Sequence, residues 1–235
     1  MKKLLTLLVL TGTLFAQANN IFTLNPSVNS AGMGNVGIAN AEVKNVFHNP
    51  AFAGLRESHQ EVSYVEWLPN LTDDMGYQSI LITSDMGWSS EIFYFNYGTQ
   101  VQSDQYGVVL GDFESSSYRI SGGYGFGFND WLVGARLNLY SHNFIDDYSI
   151  DMNYGFDIGA YKEFGNTSLG LVLKDVGGET EFLSQKLNLP MSVGVGVGHK
   201  FGNFTLASDV KFYEDYNSIG LGGQYDLGIA SLKLG

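Results

Sequence analysis

Long runs that alternate between apolar residues and small or polar residues constrain this chain more than any other sequence feature. In 117–128 the even positions are aromatic or aliphatic apart from one glycine, and the odd positions are glycine, serine or arginine. The same alternation recurs in 131–140, 150–160 and 191–201. A period of two residues indicates β-strands whose two faces meet different environments. Runs of about 10–12 residues exceed the ~5–6 of globular strands and match tilted transmembrane strands, so the pattern favours a membrane barrel over a β-sandwich.

Eleven strands are predicted across the chain from residue 58. They are 60–68, 75–83, 87–97, 115–127, 131–141, 149–162, 167–175, 190–201, 204–213, 217–225 and 229–235. An aromatic residue precedes the turn dipeptides Asn129-Asp130, Gly165-Asn166 and Gly202-Asn203, which suit tight hairpins because they accept positive φ. The predicted fold is therefore all-β, an antiparallel transmembrane β-barrel with short turns on one rim, longer loops on the other and about 10–11 strands present.

The strand count and the last run suggest an incomplete barrel. Single-chain bacterial barrels close with an even number of strands, and the run Ile229–Gly235 stops inside an alternating pattern. We therefore expect a chain truncated at its C-terminus, with an open, curved sheet and exposed edge strands around a partial plug.

The N-terminus has the three parts of a cleavable signal peptide. Met1-Lys2-Lys3 is a positive n-region, 4–15 is an apolar run, and Ala16-Gln17-Ala18 is a small-x-small cleavage site. Twelve apolar residues at about 1.5 Å each fall short of a ~30 Å hydrocarbon core, so a helical anchor is disfavoured. Residues 1–18 are thus predicted to direct export, with the outer membrane of a Gram-negative-type cell as the destination.

Composition excludes several function classes. A hydrophobic content of 44% excludes disorder, and a net charge of −12 argues against nucleic-acid partners, since affinity for phosphates comes from Lys and Arg. The chain has no cysteine for disulfides, thiol chemistry or lipid attachment. Its four histidines lack metal-ligand spacing, and no Gly-x-Ser-x-Gly elbow is present. No enzyme activity, metal or cofactor is predicted.

Residues 19–57 differ from the rest and are predicted to form a plug, or hatch, inside a barrel of residues 58–235. Small residues and the steps Asn25-Pro26 and Asn49-Pro50 break regular structure there. Glycines on the presumed lumen face of several strands leave room for backbone to approach. The Asn-Pro steps either fix turns in the plug or take part in function, and the sequence leaves both open.

Five charged residues fall on the polar face of the predicted strands: Arg119, Arg136, Asp151, Asp157 and Lys174. Ionisable groups inside a membrane protein normally pair with one another, so we expect pairing across the lumen with the plug as neighbour. A lining for a solute path is the alternative.

The segment LNPSVNSAGMGNVGIANAEVKNVFHNPA resembles the start of the PorV/PorQ-like outer-membrane proteins, relatives of the FadL-type transporters of hydrophobic compounds. His48 stands where that family usually has Trp. Two later segments, LVLKDVGGETEFLSQKLNLPMSVGVGVGHKF and GLGGQYDLGIASLKLG, are also similar to it. The resemblance implies a FadL-like barrel of fourteen strands with an N-terminal hatch. Its hatch motif would be Asn25, Pro26, Asn49, Pro50 and Ala51.

Two functions follow from this resemblance. The first is type IX-like protein secretion or surface assembly, with outer-membrane lipid and secretion components or exported proteins as partners. The second is FadL-like transport of long-chain fatty acids or other hydrophobic small molecules. A soluble periplasmic β-sandwich, or a secreted surface protein, is the third alternative.

Overall fold

Strands dominate the protein. The computed structural model describes residues 21–43, 45–70, 72–104, 106–145, 148–177, 179–182, 185–189 and 191–235, so the predicted signal peptide, 1–18, lies outside the described residues. The strands are β1 (His59–Glu66), β2 (Gly76–Thr83), β3 (Trp88–Ser103), β4 (Val109–Phe128), β5 (Trp131–Ile145), β6 (Tyr148–Phe164), β7 (Thr167–Gly177), β8 (Glu179–Phe182), β9 (Gln185–Asn188), β10 (Ser192–Phe201), β11 (Phe204–Tyr213), β12 (Asn217–Asp226) and β13 (Ser231–Leu234).

Eleven of these strands form one antiparallel sheet in the order β1-β2-β3-β4-β5-β6-β7-β10-β11-β12-β13. The prediction of an all-β antiparallel fold with eleven strands is thus confirmed. Strands β8 and β9 form a separate two-stranded sheet. Among the described residues β1 and β13 do not pair, so the sheet is not closed.

The connections between strands alternate between two rims. One, the turn rim, carries the connections 84–87, 129–130, 165–166, 202–203 and 227–230. Asn129 and Asp130 there have φ values of 48° and 63°, as a tight hairpin between right-twisted strands requires. The opposite, loop rim carries longer segments that include 67–75, 104–108 and 178–191. The connections 146–147 and 214–216 on the loop rim are short, so the predicted distribution of short turns and longer loops agrees with the structure in part.

Strands β3 and β4 extend well past their predicted ends at 97 and 115. Their pairing continues to Ser103 and Val109 after a register shift between Asn96 and Thr99. The shift contains Gly98, whose φ is 72°. Strand β2 pairs with β3 only as far as Asn96, and the extended hairpin is exposed along most of its length. Because neither face is buried, the sequence there shows no alternation to detect.

The two faces of the sheet differ in chemistry. Large apolar side chains are exposed on one face, which we call the outer face; they include Ile80, Ile92, Tyr118, Ile120, Phe126, Tyr154, Ile158, Leu171, Val193, Val197, Leu206 and Phe212. Buried polar and charged side chains with glycines line the other, the inner face; they include Ser79, Glu91, Ser117, Arg119, Arg136, Asn138, Asp157 and Asp209.

Residues 21–57, the N-terminal segment, lie against the inner face. They contain a single α-helical turn (Val28–Ala31) and three short 3-10 helices (Ile21–Thr23, Ala41–Val43 and Pro50–Leu55). Within the described part of the chain, none of the helices has the length and apolar character to cross a membrane. The segment supplies much of the core, including Phe22, Met33, Val36, Ile38, Val46, Phe47 and Phe52.

Candidate functional site

The N-terminal segment touches the sheet backbone to backbone at glycines of the inner face. A Cβ atom added to Gly134 would stand 2.2 Å from the carbonyl oxygen of Pro50. A Cβ atom added to Gly125, Gly170 or Gly222 would likewise stand 2.4 Å or less from a backbone atom of Gly54, Ile38 or Met33, respectively. One added to Gly159 would stand 2.0 Å from the side-chain Oδ1 of Asn49. Any side chain at these positions would push the segment away. Glycines of the inner face therefore leave room for the backbone of the N-terminal segment to approach at four strands, β4, β5, β7 and β12.

Asn49 fixes the Asn49-Pro50-Ala51 motif. Its Oδ1 accepts a hydrogen bond from the Ala51 backbone N–H at 3.0 Å, which caps the 3-10 helix that starts at Pro50. Its Nδ2 donates to the carbonyl oxygens of Ile38 (2.8 Å) and Ala160 (3.1 Å). One fully buried amide thus ties two parts of the segment to strand β6. Ala51 is itself fully buried.

Asn25 and Pro26 have a similar anchoring role at the other end of the segment. Asn25 Oδ1 accepts from the Ser27 N–H at 3.0 Å and from Ser30 Oγ at 2.9 Å, which shapes the entry to the helical turn. The carbonyl of Pro26 accepts from Ser79 Oγ on β2 at 2.8 Å. These contacts of the two Asn-Pro steps hold the N-terminal segment in its conformation or attach it to the sheet.

Asp209 on β11 is an anchor that the sequence analysis missed. Its Oδ2 accepts from the backbone N–H groups of Gly37 (2.7 Å) and Ile38 (3.0 Å). Asp209 lies on the polar side of the alternating run 204–213, so its position facing the interior could have been found from the alternation. The groups that Asp209 binds could not have been found from the alternation, because they are backbone groups more than 170 residues away.

Four of the five predicted lumen charges are brought together in the interior, and Glu91, which was not predicted, links two of them. Arg119 Nη2 donates to Glu91 Oε1 at 2.5 Å. Arg136 Nη1 stands 2.9 Å from Glu91 Oε2, an ion pair whose angles fall outside those of a hydrogen bond. Arg136 Nε also lies 3.8 Å from Asp157 Oδ2. The charges therefore pair across the inner face from β3 to β6. Arg119 Nη1 also donates to the carbonyl of Phe22 in the N-terminal segment at 2.6 Å.

The fourth charge, Lys174, packs on the ring of Phe47 from the N-terminal segment. Its Nζ lies 3.7 Å from the ring centroid, and the guanidinium carbons of Arg119 and Arg136 lie at 4.6 and 5.8 Å. Three cations around one aromatic ring gain cation–π attraction. Carboxylates of Glu91, Asp157 and Asp175 balance them, and Tyr140 donates a hydrogen bond to Asp175. Asp151 belongs to β6, but its side chain lies outside what the structure describes.

His48 is buried beside this cluster. Its Nε2 lies 2.9 Å from Ser30 Oγ, and the ring occupies the space where Gly37 would carry a side chain. Burial lowers the pKa of His48 well below its ordinary value of 6.5, and Lys211, Lys174 and Arg136 lower it further. The imidazole is therefore neutral at physiological pH, where it can accept or donate one hydrogen bond to Ser30.

Two of the cavities that the described residues form lie between the N-terminal segment and the sheet. One of about 20 Å³, next to Phe47 and His48, has room for about one water molecule. Its charged lining consists of Lys174, Asp175 and Lys211. The other, of about 360 Å³, opens at the turn rim.

No family model matches the chain, and no curated protein matches it.

Proposed function

We propose that this protein is a non-enzymatic outer-membrane β-barrel protein in which the N-terminal segment is a fixed plug. Its role is type IX-like protein secretion or surface assembly, as in the PorV/PorQ-like proteins that its N-terminal motif resembles. The observation that carries the proposal is the chemistry of the two faces of the sheet. Apolar side chains are exposed on the outer face, and charged side chains are buried on the inner face.

The outer face supports a location in lipid. Its exposed isoleucine, valine, leucine and aromatic side chains run across strands from β2 to β12. Monomeric proteins in water rarely expose apolar patches larger than a few hundred Å². In an outer-membrane barrel this alternation is expected, because apolar residues face lipid and polar residues face the interior. A β-sandwich would instead bury its apolar faces between two sheets.

The plug contacts support a structural role for the interior. Asn49 binds the N-terminal segment to β6, and Asp209, Ser79 and Arg119 bind it to three further strands, while glycines allow it to approach the wall. Opening a path would require these buried bonds to break together. A protein with a fixed plug acts through its surfaces, which suits the capture or assembly of other proteins.

Transport of hydrophobic compounds, the alternative, is less well supported. Charged side chains surround Phe47 at the centre of the described interior, and the cavity there has room for about one water molecule. An apolar solute on this route would have to displace paired charges, at a large cost in a medium of low dielectric constant.

Fractionation tests the membrane location. The full chain, expressed in a Gram-negative host, should sediment with outer membranes, resist carbonate extraction and dissolve only in detergent. Recovery in the carbonate-soluble fraction would contradict the proposal and favour a soluble or secreted protein.

Deletion of the gene in its own host tests the role. We expect proteins that carry the type IX C-terminal signal to be lost from the cell surface, while uptake of a radiolabelled long-chain fatty acid stays unchanged. Normal surface display together with reduced fatty-acid uptake would overturn the secretion role in favour of transport.

A further inference from the structure

The hairpin of β3 and β4 projects from the loop rim beyond the strands on either side of it. We call residues 97–104 and 106–115 the β3–β4 extension. Strand β2 pairs with β3 only as far as Asn96, and β5 pairs with β4 only from Ser116. At about 3.3 Å per residue, the extension reaches about 20 Å past these last paired residues. In the described part of the chain, neither of its long edges has a neighbouring strand.

Hydrogen bonds fix the β3–β4 extension at its base and at its tip. At the base the Thr99 N–H donates to Asp74 Oδ2 at 2.6 Å. At the tip Asp104 Oδ1 accepts from the Tyr106 N–H at 2.8 Å. These two ends enclose the β3 edge of the extension, residues 100–103. Because a preorganised segment loses little conformational freedom on binding, this edge is well suited to hold a partner.

The two edges of the extension differ in how they are protected against pairing. The β4 edge carries the carboxylates of Asp112 and Glu114, and the register is interrupted by a bulge at Leu110, which has no partner on β3. Charges and bulges are the devices that normally stop a free edge from adding a strand. The β3 edge, 100–103, has the sequence Gln-Val-Gln-Ser, with no charge, proline or bulge of its own. It is therefore the edge open to a further strand.

The side chains beside this edge offer apolar surface. Val101 on β3 is 60% exposed, and the ring of Tyr106 at the tip is 82% exposed. These side chains lie past the ends of the neighbouring strands, so the packing of the sheet does not account for them. Tyrosine is among the residues that contribute most to binding at protein interfaces. A strand added at 100–103 would cover Val101 and lie close to the tip.

The charge around the edge selects the kind of strand. Asp74 lies at its base and Asp104 at its tip, and Asp112 stands opposite Val101 on β4. The sequence has no lysine or arginine from 57 to 118. A second copy of this chain would bring the same carboxylates, and lipid phosphates are anionic as well, so both would be repelled. A segment with a lysine or arginine at each end would instead place its cations beside Asp74 and Asp104.

We propose that the β3 edge of the β3–β4 extension binds an extended segment of a partner protein as an added strand, with a lysine or arginine at each end of that segment. Main-chain hydrogen bonds to 100–103 supply affinity, and the carboxylates of Asp74 and Asp104 select the charge. The proposal rests on the extension alone and does not require the secretion role, so a failure of one leaves the other standing.

Ligand-detected NMR titration of the purified full chain in detergent micelles, at about 0.15 M salt and with empty micelles as the blank, tests the proposal. The probe is the peptide acetyl-Lys-Thr-Val-Thr-Lys-amide. One comparison peptide is N-methylated at its three central residues, which removes main-chain donors and keeps the charge. The other has glutamate in place of both lysines. We expect saturable binding of the probe below about 1 mM, and about tenfold weaker binding of each comparison peptide.

Val101→Lys is the variant that should lose binding. It places a cation in the middle of the β3 edge, and we expect the affinity for the probe to fall by about tenfold or more. The matched control is Leu110→Lys, which adds the same charge to a side chain that is 62% exposed in the β4 bulge. Its effect should stay below about twofold, because salt screens exposed charges beyond about 8 Å.

Five results would overturn the proposal. Equal binding of the N-methylated peptide would show that no strand is added, and equal binding of the glutamate peptide would show that the carboxylates are not recognised. An equal loss in Leu110→Lys would show general attraction to an acidic surface. Absence of saturable binding of the probe would remove the site altogether. Dimerisation of the chain that Val101→Lys abolishes would assign the edge to a second copy. Unchanged heat-modifiable mobility on electrophoresis confirms that each variant is folded.

Discussion

At the residue scale, a glycine of the sheet is required where the N-terminal segment lies directly against it. Gly134 and Gly122 lie on neighbouring strands but on opposite faces. A Cβ at Gly134 would collide with the Pro50 carbonyl, whereas a Cβ at Gly122 would meet nothing within 4 Å. The alternation of the sequence places the two glycines on opposite faces, but it does not show that the Pro50 backbone lies against Gly134.

Gly134→Ala should therefore destabilise the protein and Gly122→Ala should not. Overpacking costs about 1–3 kcal/mol when the neighbour is backbone that cannot move aside. Urea unfolding of both variants in lipid vesicles measures the difference. A loss of stability as large in Gly122→Ala would show that glycine flexibility, and not contact with the N-terminal segment, is the cause.

Glu91 is the residue on which the buried charge cluster depends. Glu91→Gln should lower the free energy of unfolding by about 3–5 kcal/mol, because it leaves Arg119 and Arg136 buried beside a neutral side chain. The control is Asp130→Asn, which removes an exposed pair with Lys162 at 4.0 Å and should change little. Similar small effects for both variants would contradict the cluster's importance.

Burial of the neutral imidazole of His48 should make the stability of the protein depend on pH. The unfolded state takes up a proton near pH 6.5, whereas burial lowers the pKa of His48 in the folded state. Stability should thus fall as pH drops below about 6.5, by up to about 1.4 kcal/mol per pH unit from this group, until the lower folded-state pKa is reached. The His48→Gln variant should lack this component when the two unfolding curves are compared between pH 7 and 5. Parallel curves would mean that His48 is not buried in its neutral form.

At the element scale, the alternation of period two was enough to locate all eleven strands of the main sheet. The alternation did not predict the strand ends or the inward-facing residues where both faces of a strand meet the same environment. The β3–β4 extension is exposed on both sides, and β3 has Phe93 and Phe95 inside with Ile92 and Tyr94 outside. Glu91 lies at the start of that uniformly apolar stretch, so it did not stand out as a lumen charge.

The interior contacts were less predictable than the strands. Alternation gives the face of a residue but not its partner, and Asp209, Asn49 and Arg119 all bind backbone groups distant in sequence. The pairing of Arg136 with Asp157 is the exception. These residues stand opposite each other in the β5–β6 register, which the tight hairpins and the alternation constrain.

The 3-10 helix Pro50–Leu55 offers a test of how the N-terminal segment is held. Asn49→Asp keeps the acceptor for the Ala51 N–H and loses both donors, to Ile38 and Ala160. A buried carboxylate would then face two carbonyl oxygens, so we expect faster proteolysis within 41–57. The same change at Asn203, in an exposed turn, is the control. Equal proteolysis of both variants would contradict the anchoring role of Asn49.

At the scale of the whole molecule, the account rests on the apolar outer face lying in lipid. A lysine in place of Ile120 should cost about 2–4 kcal/mol if the residue is near the bilayer midplane, and almost nothing if it faces water. Val101→Lys, in the β3–β4 extension, should be tolerated. Folding titrations in vesicles compare the two variants, and equal tolerance would argue against a lipid-facing sheet.

Spin labelling tests most directly whether the outer face lies in lipid. The chain has no native cysteine, so a label can be attached to a single introduced cysteine. Single cysteines placed along β4 from 118 to 126 carry a spin label, and the full chain is reconstituted in vesicles. Collision with oxygen, which concentrates in lipid, is compared with collision with a water-soluble nickel chelate. We predict alternation with period two: labels at 118, 120, 122, 124 and 126 collide mainly with oxygen, and those at odd positions with neither reagent. Greater collision with the nickel chelate at the even positions would place the outer face in water and contradict the account.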